Sequence, residues 1–243
     1  MSDDGPGKAK SLIRKMLVEF VGDWTFVFVG TLQAMSGSGV LVAACAHGIT
    51  IALLIAGFGH ISGGHFNPAV TVGVFIAGGM HILDAVCYIP VQLIGGFVGS
   101  LIARACLSQT QFEAIQAGAT LPGLDTTWAQ ALVCEIFLTV ILVRSVLMTA
   151  VDTDSNVLAP FAIGLSIFVD ILAGGTISGA SMNPARSLGP ACVGAIFGVD
   201  GVWRYHYIYY VGPLIGACIA GATYRFATIT FILFNTQRVW MKD

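Results

Sequence analysis

The chain has 243 residues, of which 56% are hydrophobic and only 10% charged, with a mean hydropathy of +0.85; soluble domains carry charge on about a quarter of their residues. That composition excludes an ordinary soluble domain and points to an integral membrane protein. A formal net charge of -2 offers no basic surface for nucleic acid. The six cysteines lie in or beside apolar runs without close pairs or metal spacing, so they read as small buried hydrophobes, with no disulfide framework and no metal site.

Residues 1–15 form an N-terminal tail with Lys8, Lys10, Arg14 and Lys15. The apolar run at 16–35 is too long for a signal peptide and carries Glu19 and Asp23, so it is the first predicted span. A second run, 40–58, contains His47, and a polar, glycine-rich phrase follows it, GHISGGHFNPAV, from Gly59 to Val70. Asn67 to Gly78 is then a short apolar segment, and a third long run covers 82–106. After polar residues 108–125 come a fourth run at 128–150 with Glu135 and a fifth at 158–174 with Asp170 and Ile171. The phrase then returns as GTISGASMNPAR, Gly175 to Arg186, and opens a second short segment, Asn183 to Gly194. A sixth run at 205–234 precedes a C-terminal tail, 235–243. Each long run approaches or exceeds the roughly 20 residues that cross about 30 Å of hydrocarbon. Basic residues gather at both ends, with Arg225, Arg238 and Lys242 at the second; with an even number of spans, the positive-inside rule puts both termini in the cytoplasm of a multi-pass protein. Plasma and intracellular membranes fit equally.

The two phrases belong to one internal repeat. Asn183 follows Asn67 by 116 positions, and Glu135 follows Glu19 by the same 116, as Gly164 follows Gly48 and Gly179 follows Gly63. Beyond the second phrase the offset becomes 121, carrying Tyr88 to Tyr209 and Gly95 to Gly216, with the extra residues falling around Val199 to Tyr205. Repeat 1 spans about 16–106 and repeat 2 about 128–234 of a single domain, 16–234. Each half holds three spans, an odd number, so the second half enters the membrane inverted, as in transporters and channels built from inverted repeats.

Asn67 to Gly78 and Asn183 to Gly194 are each 12 residues long, about 18 Å as helices and too short to span. They are predicted to be half-spanning, re-entrant helices, with Asn as N-cap and Pro at the first helical position. Inversion brings their N-termini together near the bilayer centre, each carrying about half a positive charge, which disfavours cations there. The fold class is therefore all-α and integral to the membrane, with six transmembrane helices and two re-entrant half-helices in an inverted repeat. The irregular backbone before each half-helix survives at that depth only if buried in protein or lining a water-filled cavity. Glu19 and Glu135, as repeat mates, are explained as acceptors for the N–H groups of the two loops; Asp23 has no such mate. Arg186, repeat mate of Val70, opposes the macrodipole from the first turn of its half-helix and costs about 2.5 to 3.5 kcal/mol at membrane depth, so it is read as functional.

SGGHFNPAV and SGASMNPAR, on six spans with a glutamate in the first and fourth, resemble the aquaporin family over nearly the whole chain. The resemblance implies a homotetramer with one water-conducting pore per subunit. It also implies that the motifs Asn67, Pro68, Ala69 and Asn183, Pro184, Ala185 meet at its centre, the two asparagines donating to a passing water. It further implies a selectivity filter at His47, Ile171, Ala180 and Arg186, with His47 where water-selective members carry Phe and Ile171 where they carry His. That filter, VDILAGG (Val169 to Gly175) and HFNPAV are similar to the aquaporin-8 branch, which implies passage of ammonia and hydrogen peroxide beside water. Ile171 and Ala180 are non-polar and Ala180 leaves space, while His47 keeps a donor or acceptor for a polar solute, unless its ring is satisfied by a neighbouring carbonyl. His65 is read as tying down its loop or sensing pH, with no second ligand at zinc spacing. No cofactor, metal or catalytic group is called for: no nucleophile, base and orienting group converge, and an enzyme is not expected. The function implied is a passive channel that excludes protons and ions. The rivals are a secondary transporter of a small solute and a junctional membrane protein with a vestigial pore.

Overall fold

The computed structural model describes residues 6–37, 39–153 and 156–240. Of the basic residues invoked for sidedness, Lys242 lies outside the described residues. Those described are helical, with no strand among them: α1 (Pro6–Leu32), α2 (Gly39–Ser62), α3 (Pro68–Ala77), α4 (Ile82–Ala105), α5 (Gln109–Ala114), α6 (Trp128–Val146), α7 (Ala159–Gly174), α8 (Pro184–Ile196) and α9 (Ile208–Trp240). By length and apolarity, α2, α4 and α6 with its π-helical extension to Val151 are able to cross a membrane, while α3 and α7 are shorter apolar helices. The first helix begins at Pro6, ahead of the apolar run at 16.

Polar residues start the helices where the apolar pattern alone would leave their ends vague. Ser108 and Thr127 form capping boxes with Gln111 and Gln130 at α5 and α6. Asn67 and Asn183 cap α3 and α8, with Pro68 and Pro184 at the first turn. Gly78 ends α3 with φ 87°, a left-handed C-cap that glycine adopts without strain. The second short helix does not end at its corresponding Gly194 but runs on to Ile196, 13 residues against 10. Gly194 is a packing glycine instead, since a Cβ there would lie 2.9 Å from Ala117 Cβ and 3.0 Å from Val202 Cγ1. The chain added in repeat 2 makes turns between α8 and α9.

Helices approach one another through glycine at repeat-related places. Gly95 of α4 sits on the Phe20 carbonyl of α1, and Gly216 of α9 on the Ile136 carbonyl of α6. Between the halves α2 crosses α7 glycine on glycine: a Cβ on Gly48 would lie 2.6 Å from the Gly164 oxygen, and one on Gly164 would lie 2.5 Å from the Gly48 oxygen. Such close backbone approach is what small residues give membrane helices. The surface is apolar, with Leu53, Phe137 and Phe161 exposed, whereas Glu19, Gln92, Glu135 and Asp170 are fully buried. This inversion corrects the sequence reading of the cysteines: all six are free, Cys106 and Cys218 are exposed and the other four half-buried. On a lipid-facing surface an apolar side chain gains nothing by turning inward, so hydrophobicity does not report burial within the protein.

The crossing generates a prediction. Gly164→Ala, whose Cβ meets backbone, overpacks the α2–α7 contact at about 1–3 kcal/mol, while Gly57→Ala, with open space around it, leaves stability unchanged. Thermal unfolding of detergent-solubilised protein should show the midpoint lowered for the first and not for the second.

Candidate functional site

Each glycine-rich phrase folds into the same irregular loop. Gly63, Gly64 and Phe66 take φ of 93°, 65° and 45°, and their repeat mates Gly179, Ala180 and Met182 take 86°, 48° and 53°. For Phe66, Ala180 and Met182 the left-handed conformation costs about 1–2 kcal/mol each, so the surroundings must enforce it. They do so through two buried carboxylates. Glu19 Oε1 accepts from the Ser62 hydroxyl at 2.6 Å and the His65 N–H at 3.0 Å, and Oε2 from the Phe66 N–H at 2.7 Å. Glu135 repeats the arrangement with the Ser178 hydroxyl at 2.7 Å, the Ser181 N–H at 2.9 Å and the Met182 N–H at 2.8 Å. Tyr88 and Tyr209 then donate to the Ser62 and Ser178 carbonyls at 2.8 and 2.6 Å.

At the N-termini of α3 and α8 the loops clasp each other. Asn67 Nδ2 donates to the Met182 carbonyl at 2.9 Å and Asn183 Nδ2 to the Phe66 carbonyl at 2.8 Å. Each Oδ1 accepts from its own helix, at Ala69 N for Asn67 and at Ala185 N and Arg186 N for Asn183. An amide carries two hydrogens; one from each asparagine holds the opposite loop, and both residues line a lumen. That lumen is a cavity of about 20 Å³, walled by Phe26, Ile51, Leu142, Ile163, the two asparagines and others. It is narrow, since one water needs about 10–15 Å³. A vestibule of about 300 Å³ adjoins it on one side through His47, Ile171 and Ala180. Another of about 470 Å³ adjoins it through His65 and Val146.

The four residues singled out as a filter, His47, Ile171, Ala180 and Arg186, come from α2, α7, the second loop and α8 and line one vestibule together. Arg186 is only 8% exposed and donates from Nη1 to the Gly118 carbonyl at 3.0 Å. His47 Nδ1 lies 2.8 Å from the Ala43 carbonyl, which only accepts, so Nδ1 carries the hydrogen. A neighbouring carbonyl satisfies Nδ1, as one reading of this histidine has it, while the ring lines the vestibule with Nε2 turned toward Gly30 of α1. Its Nε2 is buried without a partner among the described residues. His65 lies 3.1 Å from the Thr71 hydroxyl through Nδ1 and edge-on to Tyr88, bridging its loop to α3. Asp170 is buried and does not line the lumen. Asp23 is fully buried with both oxygens unpartnered, and nothing in the structure explains it.

Residues 7–224 match the model of the major intrinsic protein family. The chain belongs to that family. Aquaporin-8 of Mus musculus is 42% identical over 218 residues, covering 88% of this chain and 81% of the relative; aquaporin-8 of Rattus norvegicus is 41% identical over the same shares. Aquaporin TIP1-2 of Zea mays is 37% identical over 96% of this chain and 89% of its own length. An X-ray structure of the aquaglyceroporin from Plasmodium falciparum superposes with a TM-score of 0.74, covering 88% of this chain and 94% of that one at 22% identity, a likeness of fold alone. The chain is therefore an aquaporin similar to aquaporin-8, a membrane channel for water or small solutes and not an enzyme.

Several residues of this aquaporin's site carried no mark in the sequence reading. Gln92 donates to Glu19 Oε2 at 2.8 Å and to the Thr71 hydroxyl at 2.9 Å; a lone amide inside an apolar span was the available signal. Thr120 accepts from Ser187 at 3.0 Å, and Gly118 from Arg186, both in a loop whose composition is unremarkable. Replacing Glu135 by Leu would leave three buried donors unmet, at about 1–3 kcal/mol each; the variant should lose its monodisperse gel-filtration peak while Val133→Ala, at an exposed position, keeps it.

Proposed function

We propose that this aquaporin is a passive channel conducting water, ammonia and hydrogen peroxide while excluding protons and ions. In this reading the chain crosses the membrane six times, with both termini cytoplasmic, and α3 and α8 are re-entrant half-helices that meet at mid-membrane. The observation that carries it is the reciprocal clasp of the two asparagines beside a narrow lumen. One amide hydrogen of each asparagine is committed to the opposite loop and the other is available to the lumen. A water accepting from both must turn its own hydrogens outward, which interrupts the chain of hydrogen bonds along which a proton would travel. The two helix N-termini add positive potential at the same point and oppose cations.

Selection among neutral solutes falls to His47, Ile171, Ala180 and Arg186. Ile171 and Ala180 present no polar group and Ala180 leaves width, while the guanidinium of Arg186 repels cations at a place with little water to screen it. The names of the aquaporin-8 relatives and the shared filter residues support the same branch, to which ammonia and peroxide passage and a homotetrameric assembly in the bilayer are assigned here. Glu19, Glu135 and His65 serve the pore by holding its loops.

The test is solute flux into proteoliposomes, measured separately for ammonia, peroxide and glycerol. Ammonia and peroxide fluxes above those of empty vesicles are expected, and rates equal to empty vesicles for both would reject the wider selectivity. Flux that saturates and follows an ion gradient would identify a transporter instead. Two variants refine the reading. Arg186→Val, carrying the residue of its repeat mate, should admit small cations, read as conductance in planar bilayers. His47→Phe should lower ammonia flux by a larger factor than water flux in the same vesicles.

A further inference from the structure

The His47 ring stands between the vestibule and α1, and α1 offers it a glycine. A Cβ built on Gly30 would lie 2.5 Å from His47 Nε2 and 3.2 and 3.3 Å from its Cδ2 and Cε1. The ring can lie where it does only because residue 30 has no side chain. Its remaining supports are the Nδ1–H to Ala43 carbonyl bond and the edge of Phe26, whose ring centroid is 5.4 Å away at 82°. The helix behind it cannot withdraw: Phe20 and Trp24 of α1 carry Gly95 and Gly99 of α4 against their carbonyls, and Thr31, next to Gly30, abuts Gly118. Gly118 is the residue whose carbonyl accepts from Arg186. Consecutive residues of α1 therefore touch the two polar members of the filter from behind, Gly30 directly at His47 and Thr31 through Gly118 at Arg186.

We infer that Gly30 is a specificity-determining positioning residue: by leaving room behind His47 it sets how far the ring projects into the filter, and so which solutes pass. The inference rests on the proposed filter. A methyl group at position 30 meets the far end of a side chain, not backbone, so the ring yields, and with α1 fixed and Phe26 packed beside it the open direction is the vestibule. Alanine is also the better helix former, so the variant is expected to fold. The pore narrows by about the thickness of one methyl group, which hinders peroxide more than the smaller water molecule. Discrimination by one methylene in a tight pocket is roughly tenfold at its lower end.

The experiment compares wild type, Gly30→Ala, His47→Ala and the double variant in proteoliposomes, with water and peroxide fluxes measured on each and the His47 position determined structurally for Gly30→Ala. Gly30→Ala should lower the peroxide-to-water flux ratio about tenfold, the low end of the one-methylene range. Gly30→Ala should have no effect on that ratio when His47 is already alanine, because contacting residues couple and the cycle then fails to add. A ring found in its original place in Gly30→Ala overturns the inference, as does an unchanged ratio or the same fall in the His47→Ala background. Wild-type vesicles no more permeable to water than empty ones would instead defeat the channel reading itself, and that comparison is made before any variant is considered.

Discussion

Two stretches of non-helical backbone run between the helices of the bundle, and their buried N–H groups must find acceptors within the protein. In hydrocarbon each unmet group costs several kcal/mol, and left-handed φ angles at Phe66, Ala180 and Met182 add strain. Glu19 and Glu135 meet this constraint, each with one carboxylate oxygen on a hydroxyl and an N–H and the other on a second N–H. A buried carboxylate is itself costly unless hydrogen-bonded, so loop and glutamate depend on each other. Once the loops are held, α3 and α8 start where they do, and the asparagines that cap them face across the junction to the opposite loop.

The two halves share this support and differ in what they attach to it. In the first, Glu19 also accepts from Gln92, and His65 bridges to Thr71, on the side of the vestibule lined by Lys15 and Asp84. In the second, Ser181 and Ser187 replace His65 and Thr71 and bond to each other, Ser187 reaches Thr120, and Arg186 reaches Gly118. The repeat supplies a symmetric lumen; the connection between α4 and α6 breaks the symmetry on one side and brings a carbonyl, that of Gly118, to Arg186 and a hydroxyl, that of Thr120, to Ser187. The proposed selectivity rests on Arg186, whose repeat mate is Val70.

The all-helical fold was legible because long apolar runs mark helices, three of which are able to cross a membrane by length and apolarity among the described residues, and because subtraction pairs Glu19 with Glu135 and Asn67 with Asn183. The capping asparagines and prolines marked the starts of α3 and α8 to the residue. The end of α8 was not marked, since Gly194 turned out to pack against Ala117 and Val202 instead of taking a left-handed φ; a glycine in a sequence does not say which of its two uses applies. Cysteine burial was misread because apolar residues face lipid as readily as core. Gln92, Gly118 and Thr120 escaped notice for a different reason: each acts through a tertiary contact with a partner 21 to 73 positions away, and no local pattern encodes that. Gly30 is the same case, ordinary as a membrane-helix glycine until His47 is seen beside it.

The central claim is that two clasped, carboxylate-held loops form a path that water crosses and protons do not. Its most direct measurement follows osmotic shrinkage of proteoliposomes by stopped-flow light scattering while an internal dye reports proton entry in the same vesicles. The account predicts shrinkage faster than in empty vesicles with proton entry at the empty-vesicle rate. Shrinkage no faster than in empty vesicles, with the protein shown to be folded, or water and proton permeability rising together, would contradict it.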